Sequence, residues 1–191
     1  MSQEEIALST EQSFPFWLAE GYFHQGFAAL LEQHGAEGLQ SLHTGLNIFN
    51  MTGAKLSLCQ FQAQLAQGHL LTGDTAAALQ QIDEALATSA INGNVFHLSE
   101  IHRLRGEILL AHSPDHVPDA EACFHKSLEF ARVQQAKSSE LRTTISLCRF
   151  HQQQGRSAES RDALANLVEW FQEGHDLPDL IEAKRLLDTL K

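Results

Sequence analysis

Tyrosine, tryptophan, cysteine and proline are scarce in this chain, at one, two, three and four of 191 residues. So thin a supply of tyrosine and tryptophan, beside abundant Ala, Leu, Gln and Glu, argues against a sheet-rich protein and points to an all-helical one. Positive charge is scarce too. Thirteen Lys and Arg face 24 Asp and Glu, a formal net charge of −11 with histidine neutral. That sign repels phosphate backbones, so nucleic acid is not an expected partner. Long apolar runs are missing. The longest spans Phe27 to Leu31, whereas a membrane crossing needs about 20 residues, so no membrane partner is expected. Met1-Ser-Gln-Glu-Glu-Ile6 lacks the basic-then-apolar order of a secretory signal. Cys59, Cys123 and Cys148 are odd in number and widely spaced, with no C-x-x-C pair. Free buried thiols in a reducing cytoplasm are the expectation, with a disulfide or thiolate site as the alternative. Hydrophobic residues make up 43% and charged residues 19%, which is a globular balance and not a disordered one.

What is present is rhythm. Gly35, Gly53, Gly73 and Gly93 break the chain at steady intervals, followed by Pro114, Pro118, Gly155 and Gly174. Between them apolar residues recur at helical spacing, as in Leu98, Ile101, Leu104 and Ile108. Asp74 and Ser157 stand where helix N-caps are wanted. A longer period emerges when one helical hairpin is laid on the next. Gly38, Leu42, Gly45, Leu46 align with Ala78, Ile82, Ala85, Leu86 and with Ala120, Phe124, Ser127, Leu128. Ser160, Leu164, Leu167, Val168 complete the series. Gly26, Ala66, Gly106 and Cys148 precede these sets on the first helix of each pair. Small residues let two helices approach, and the large ones fill the space beside them. One hairpin cannot bury its apolar face alone, so neighbours stack.

The pattern predicts helical pairs over 14–52, 54–92, 95–136 and 138–174, closed by a capping helix over about 177–190. Residues 1–13 are expected to form a flexible N-terminal segment, loose or a fragment of a preceding helix, and 14–191 a single repeat domain. The alternative is an irregular helical bundle in which the repeats are coincidence.

The spacing of small and large positions resembles the tetratricopeptide repeat, with a period nearer 40 than the usual ~34 residues. The resemblance implies an all-α, right-handed α-solenoid of about four antiparallel helix pairs. A second resemblance is carried by Glu100-Ile-His-Arg-Leu-Arg-Gly-Glu-Ile-Leu-Leu110, Ala120-Glu-Ala-Cys-Phe-His-Lys-Ser-Leu-Glu and Ala131-Arg-Val-Gln-Gln-Ala-Lys-Ser-Ser-Glu-Leu-Arg142. Trp170-Phe-Gln-Glu-Gly-His-Asp-Leu-Pro-Asp-Leu180 and Glu182-Ala-Lys-Arg-Leu-Leu-Asp188 extend it. These stretches are similar to the C-terminal tetratricopeptide-like array of bacterial signalling regulators. There, a cyclase or DNA-binding domain is followed by a signalling ATPase. The match covers about 54–190 well and 14–53 weakly. No G-x-x-x-x-G-K-[ST] loop occurs here, so neither the regulators' ATP chemistry nor their cyclase activity carries over. The chain reads as the C-terminal module of such a regulator or as a free-standing relative.

Chemistry is sparse. No H-E-x-x-H or G-x-S-x-G is present among the eleven histidines and the serines. His112-Ser-Pro-Asp-His116 gathers two imidazoles and a carboxylate, but in a loop whose spacing sets no ligand geometry, so a solvated loop is the better reading. No catalytic residue, metal or cofactor is assigned, and the chain is not expected to be an enzyme.

In tetratricopeptide arrays the first helix of each pair lines the concave side. Carried onto this sequence, that resemblance implies a groove of Glu20, Phe23 and Phe27; Gln60, Ala63 and Gln67; Glu100, Arg103 and Glu107; and Arg142, Ile145 and Arg149. It would be aromatic at one end and guanidinium-rich at the other. Such a groove fits a protein or peptide partner with acidic residues, or the missing N-terminal domains of a parent regulator. The expected role is a non-catalytic interaction and regulatory scaffold. The alternative is an effector sensor, in which Trp17, Phe23 and Phe27 stack on a small molecule. Self-association into a homo-oligomer through an exposed aromatic end is also open.

Overall fold

The computed structural model describes residues 2–190. Ten α-helices and one 3-10 turn, and no strand, are found among the described residues. A first helix, α1 (Ser2–Glu11), precedes four antiparallel pairs: α2 (Pro15–Leu31) with α3 (Gly35–Met51), and α4 (Leu58–Leu71) with α5 (Thr75–Asn92). Then come α6 (Leu98–His112) with α7 (Val117–Val133), and α8 (Lys137–Gln153) with α9 (Ala158–Trp170). The closing helix is α10 (Pro178–Thr189). The chain forms two compact units, Met1–His97 and Leu98–Lys191.

In the first unit α2 packs on α3 and α4 on α5, while α3 and α2 both lie against α4. The hairpins are tight because small residues face large ones. A Cβ built at Gly38 would stand 2.6 Å from Leu30 Cγ and 2.9 Å from the Gly26 carbonyl oxygen, so two glycines bring the α2 and α3 backbones together. Phe23, Phe49 and Phe61 fill the space beside them. The Phe23 and Phe61 rings stack at 4.4 Å, and Phe49 and Phe61 tilt together at 4.6 Å. Asp74 caps α5 as expected, its side chain accepting from Ala77 N at 3.0 Å.

Of the two readings of segment 1–13, loose or a fragment of a preceding helix, the described residues take a helical form. The segment is helical over Ser2–Glu11 and packs on α2. The helix is polar enough to hide its periodicity, with Ser9 as its buried residue. The absence of a side chain at Gly21 makes room for it: a Cβ there would meet Ile6 Cγ1 at 2.9 Å. Glu5 Oε2 and His24 Nδ1 pair across the contact at 2.9 Å.

In the second unit α6 packs on α7 and α8 on α9. The first helices of the pairs lie side by side, α6 against α8 and α8 against α10. Leu141, Ile145, Cys148, Leu164, Leu180 and Ala183 share one core. α10 thus closes the apolar face that α8 and α9 leave open. Ser157 does not cap α9: its backbone is already helical and its side chain accepts no capping bond. The neighbouring Arg156 instead binds Glu159 and Glu121, at 2.6 and 2.9 Å, joining the α8–α9 turn to α7. All three cysteines are free and buried.

Candidate protein-interaction surface

The residues expected to line a groove divide between the two units. In the first, Phe23 is core and not surface: it is buried and stacked on Phe61. Phe27 is half-buried against the same core, and Ala63 is buried. The rings expected to stack on a small effector therefore contribute Phe23 to the hydrophobic interior. Gln60 and Gln67 are half-buried on α4, and Glu20 is half-buried on α2. Burial, with the Glu5 carboxylate nearby, outweighs the pull of His24 and raises the Glu20 carboxyl above its usual range.

In the second unit the side-by-side arrangement of α6, α8 and α10 builds a ladder of charge. Arg103, one turn on from Glu100 and one before Glu107, binds both. Arg103 Nη2 meets Glu100 Oε1 at 2.5 Å, and Nη1 meets Glu107 Oε1 at 2.6 Å. Ser146 on α8 donates to Glu107 Oε1 at 2.7 Å. Arg142 lies 3.5 Å from Glu100 and 3.4 Å from Asp179, and so spans α6 to α10. Arg149 meets Glu182 Oε1 at 2.5 Å. Burial works against ionisation of Glu100, but the Arg103 hydrogen bonds and charge, then Arg142, outweigh it and hold the carboxyl below its usual range. Burial likewise opposes the Arg103 charge, and the carboxylates of Glu100 and Glu107 overcome it, raising the guanidinium further above its ordinary value.

This arrangement sorts the expected residues by what each can do. Glu100, Arg103, Glu107 and Arg142 are brought together, yet Arg103 is buried and saturated by its own neighbours. It holds helices in place and offers little to a ligand. Ile145 belongs to the core; Ser146, one residue on, takes the place expected for it. Arg149 is exposed and lines two clefts. One, of about 360 Å³ between α6 and α8, is floored by Leu110, Phe124 and Phe150, with Glu107 and Ser146 at its side. The other, of about 670 Å³ between α8 and α10, is lined by Ile181, Leu186, Glu182 and Arg185. Ser146, Ile181 and Arg185 were not among the expected residues. α10 begins 41 residues after α8 and so keeps the 40-residue period, but a helix expected only as a cap had no groove positions counted onto it.

His112 and His116 stack at 5.9 Å, and His116 faces Asp119 at 3.5 Å. Among the described residues no group of three or more His, Cys, Asp or Glu is placed to hold a metal ion. No described helix is long and apolar enough to cross a membrane.

No protein-family model matches the sequence, and no curated protein matches it. Solved structures do resemble it. The crystal structure of BtubC (BKLC) from P. vanneervenii superposes with a TM-score of 0.79 at 15% identity, over 99% of this chain and 86% of that one. A putative kinesin light chain of Podosopora anserina, with nearly identical TPR-like repeats, gives 0.68 at 15% identity, over 92% and 86%. A point variant of that protein gives 0.69 at 15% identity, over 92% and 85%. The likeness agrees with the helical pairs and the closing helix. The fold is an all-α, tetratricopeptide-like α-solenoid.

Proposed function

We propose that this chain is a non-catalytic protein-interaction scaffold, with α6, α8 and α10 as its contact face. The observation that carries the reading is Arg149, an exposed guanidinium at the mouth of two clefts with apolar walls. A partner segment with an apolar anchor and a carboxylate one or two residues away would fill a cleft and exchange for Glu182 on Arg149. The similarity of residues 54–190 to the terminal arrays of bacterial signalling regulators supports a regulatory role in the cytoplasm. The partner is then either a separate protein or the other domains of such a regulator. Affinity capture from source-cell lysate, read by quantitative mass spectrometry, tests this with Arg149→Glu as control bait. A protein retained by the wild type and lost by Arg149→Glu is the expected result. Equal retention of every captured protein by both baits would remove this face from the assignment.

A further inference from the structure

Arg149 borders two clefts of different charge. In the cleft between α6 and α8 it is the one cation among the described residues of the lining, facing one carboxylate, Glu107. Glu107 is already bound by Arg103 and Ser146. The cleft between α8 and α10 holds two guanidiniums, Arg149 and Arg185, against a single carboxylate, Glu182. It is a locally cationic site on a chain whose net charge is −11. Pro178, Ile181 and Leu186 supply its apolar wall.

The two guanidiniums of this cleft are not equivalent. Arg149 Nη2 meets Glu182 Oε1 at 2.5 Å, with the side chains 54% and 41% exposed, so water competes for the pair and it opens at small cost. Arg185 is exposed and lies one turn after Glu182 on α10. Among the described residues it makes no ion pair or hydrogen bond, so its charge is left to water. The walls on either side are held. Leu180 and Ala183 share a core with Ile145 and Cys148, Arg142 ties α8 to Asp179 at 3.4 Å, and Gln152 Nε2 donates to Thr189 Oγ1 at 3.3 Å. The cleft is thus formed in advance of any ligand, with one cation engaged and one unengaged.

We infer that the α8–α10 cleft binds a peptide segment with two carboxylates around an apolar residue, that Arg185 supplies the selectivity, and that Glu182 competes with the segment for Arg149. The inference rests on the interaction-scaffold reading and narrows it to one cleft and a doubly acidic occupant. A carboxylate that displaces Glu182 from Arg149 exchanges one exposed ion pair for another, and gains little. Arg185 has no pair to lose, so a second carboxylate adds a charge-assisted contact outright. The apolar residue between them covers Ile181, which is 37% exposed, and Leu186 below it. A segment with one carboxylate meets only one of the two guanidiniums and has Glu182 as its rival there. The built-in carboxylate thereby discriminates against singly acidic segments.

The test uses the full chain and a short fluorescent peptide of glycine and serine with one central Asp-Leu-Asp, binding being read by anisotropy. Peptides with Asn-Leu-Asp and Asp-Ser-Asp in its place serve as comparisons. The Asp-Leu-Asp peptide is expected to bind saturably one to one, and each comparison peptide roughly tenfold more weakly. Arg185→Gln should weaken the Asp-Leu-Asp peptide by about the same factor, and Glu182→Gln should tighten it several-fold. Lys184→Gln removes a neighbouring charge that faces His175 and does not line the cleft, and should leave binding unchanged. Melting curves check that all three variants are folded. The inference is overturned if Lys184→Gln weakens binding as much as Arg185→Gln, since attraction would then be charge alone. It is overturned if Glu182→Gln brings no tightening, or if the Asn-Leu-Asp peptide binds as well as the doubly acidic one. Displacement of the peptide by an equal concentration of glutarate overturns it too, by making a small diacid the occupant. No binding of the Asp-Leu-Asp peptide also overturns it, and leaves the wider contact face to stand or fall on the Arg149→Glu capture.

Discussion

Gly106 on α6 lies against the ring of Phe124 on α7: a Cβ at 106 would stand 2.6 Å from Phe124 Cε1 and 2.9 Å from Cζ. Phe124 is fully buried, with its ring packed against Phe150 at 6.0 Å between centroids. Gly106→Ala should therefore destabilise the chain by about 1–2 kcal/mol, overpacking outweighing the gain of roughly 1 kcal/mol in helix propensity. Urea unfolding checks it; a variant as stable as the wild type would mean that the hairpin can open at no cost.

Arg103 and Arg149 have the same charge and opposite consequences. Arg103→Met leaves Glu100 and Glu107 facing each other in a half-buried site, and should cost about 2 kcal/mol. Arg149→Glu acts on an exposed pair and should change stability by no more than about 0.5 kcal/mol. Thermal melts of the two variants side by side give the comparison. Equal losses would show that the ladder is not cooperative.

Asp74→Ala removes the one acceptor that its side chain supplies to the Ala77 amide at the start of α5. A loss of about 1 kcal/mol is expected. Asp74→Asn should keep most of it, and denaturant midpoints of the pair would separate capping from charge.

His102 stacks parallel to Phe130, with ring centroids 5.6 Å apart. Burial, then the charges of Arg105 and Lys126, push its pKa down from 6.5 to about 4. The unfolded chain takes up this proton first, so between pH 6.5 and about 4 the fold loses stability as the pH falls. His102→Gln should flatten the melting temperature across that window. An unchanged slope would place the pH dependence elsewhere.

Architecture was legible because helix pairing depends on side-chain size at fixed intervals. Gly26 with Gly38, Gly106 with Phe124, and Pro178 at the head of α10 are all written in residue type. The groove was less legible because lining depends on rotation of a helix about its axis. One residue turns a helix by about 100°, which separates Ile145 in the core shared with α9 and α10 from Ser146, buried against Glu107 of α6. The same rotation leaves Phe23 in the core. Arg103 shows a second difficulty: an arginine at a facing position looks the same in sequence whether it is free or already bound by Glu100 and Glu107. The packing of α1 on α2 was not legible, because it rests on an empty space at Gly21 that no stripe on α1 itself announces.

Lys55 lies in the exposed α3–α4 loop, and the next lysine or arginine is the buried Arg103. Trypsin acting on the native chain therefore meets one accessible bond in residues 1–102, Lys55–Leu56. A cut there parts two hairpins without crossing a helix. An amine-reactive dye finds the same side chain as the sole lysine of the unit. A reporter attached there labels the first unit at the loop between its two hairpins.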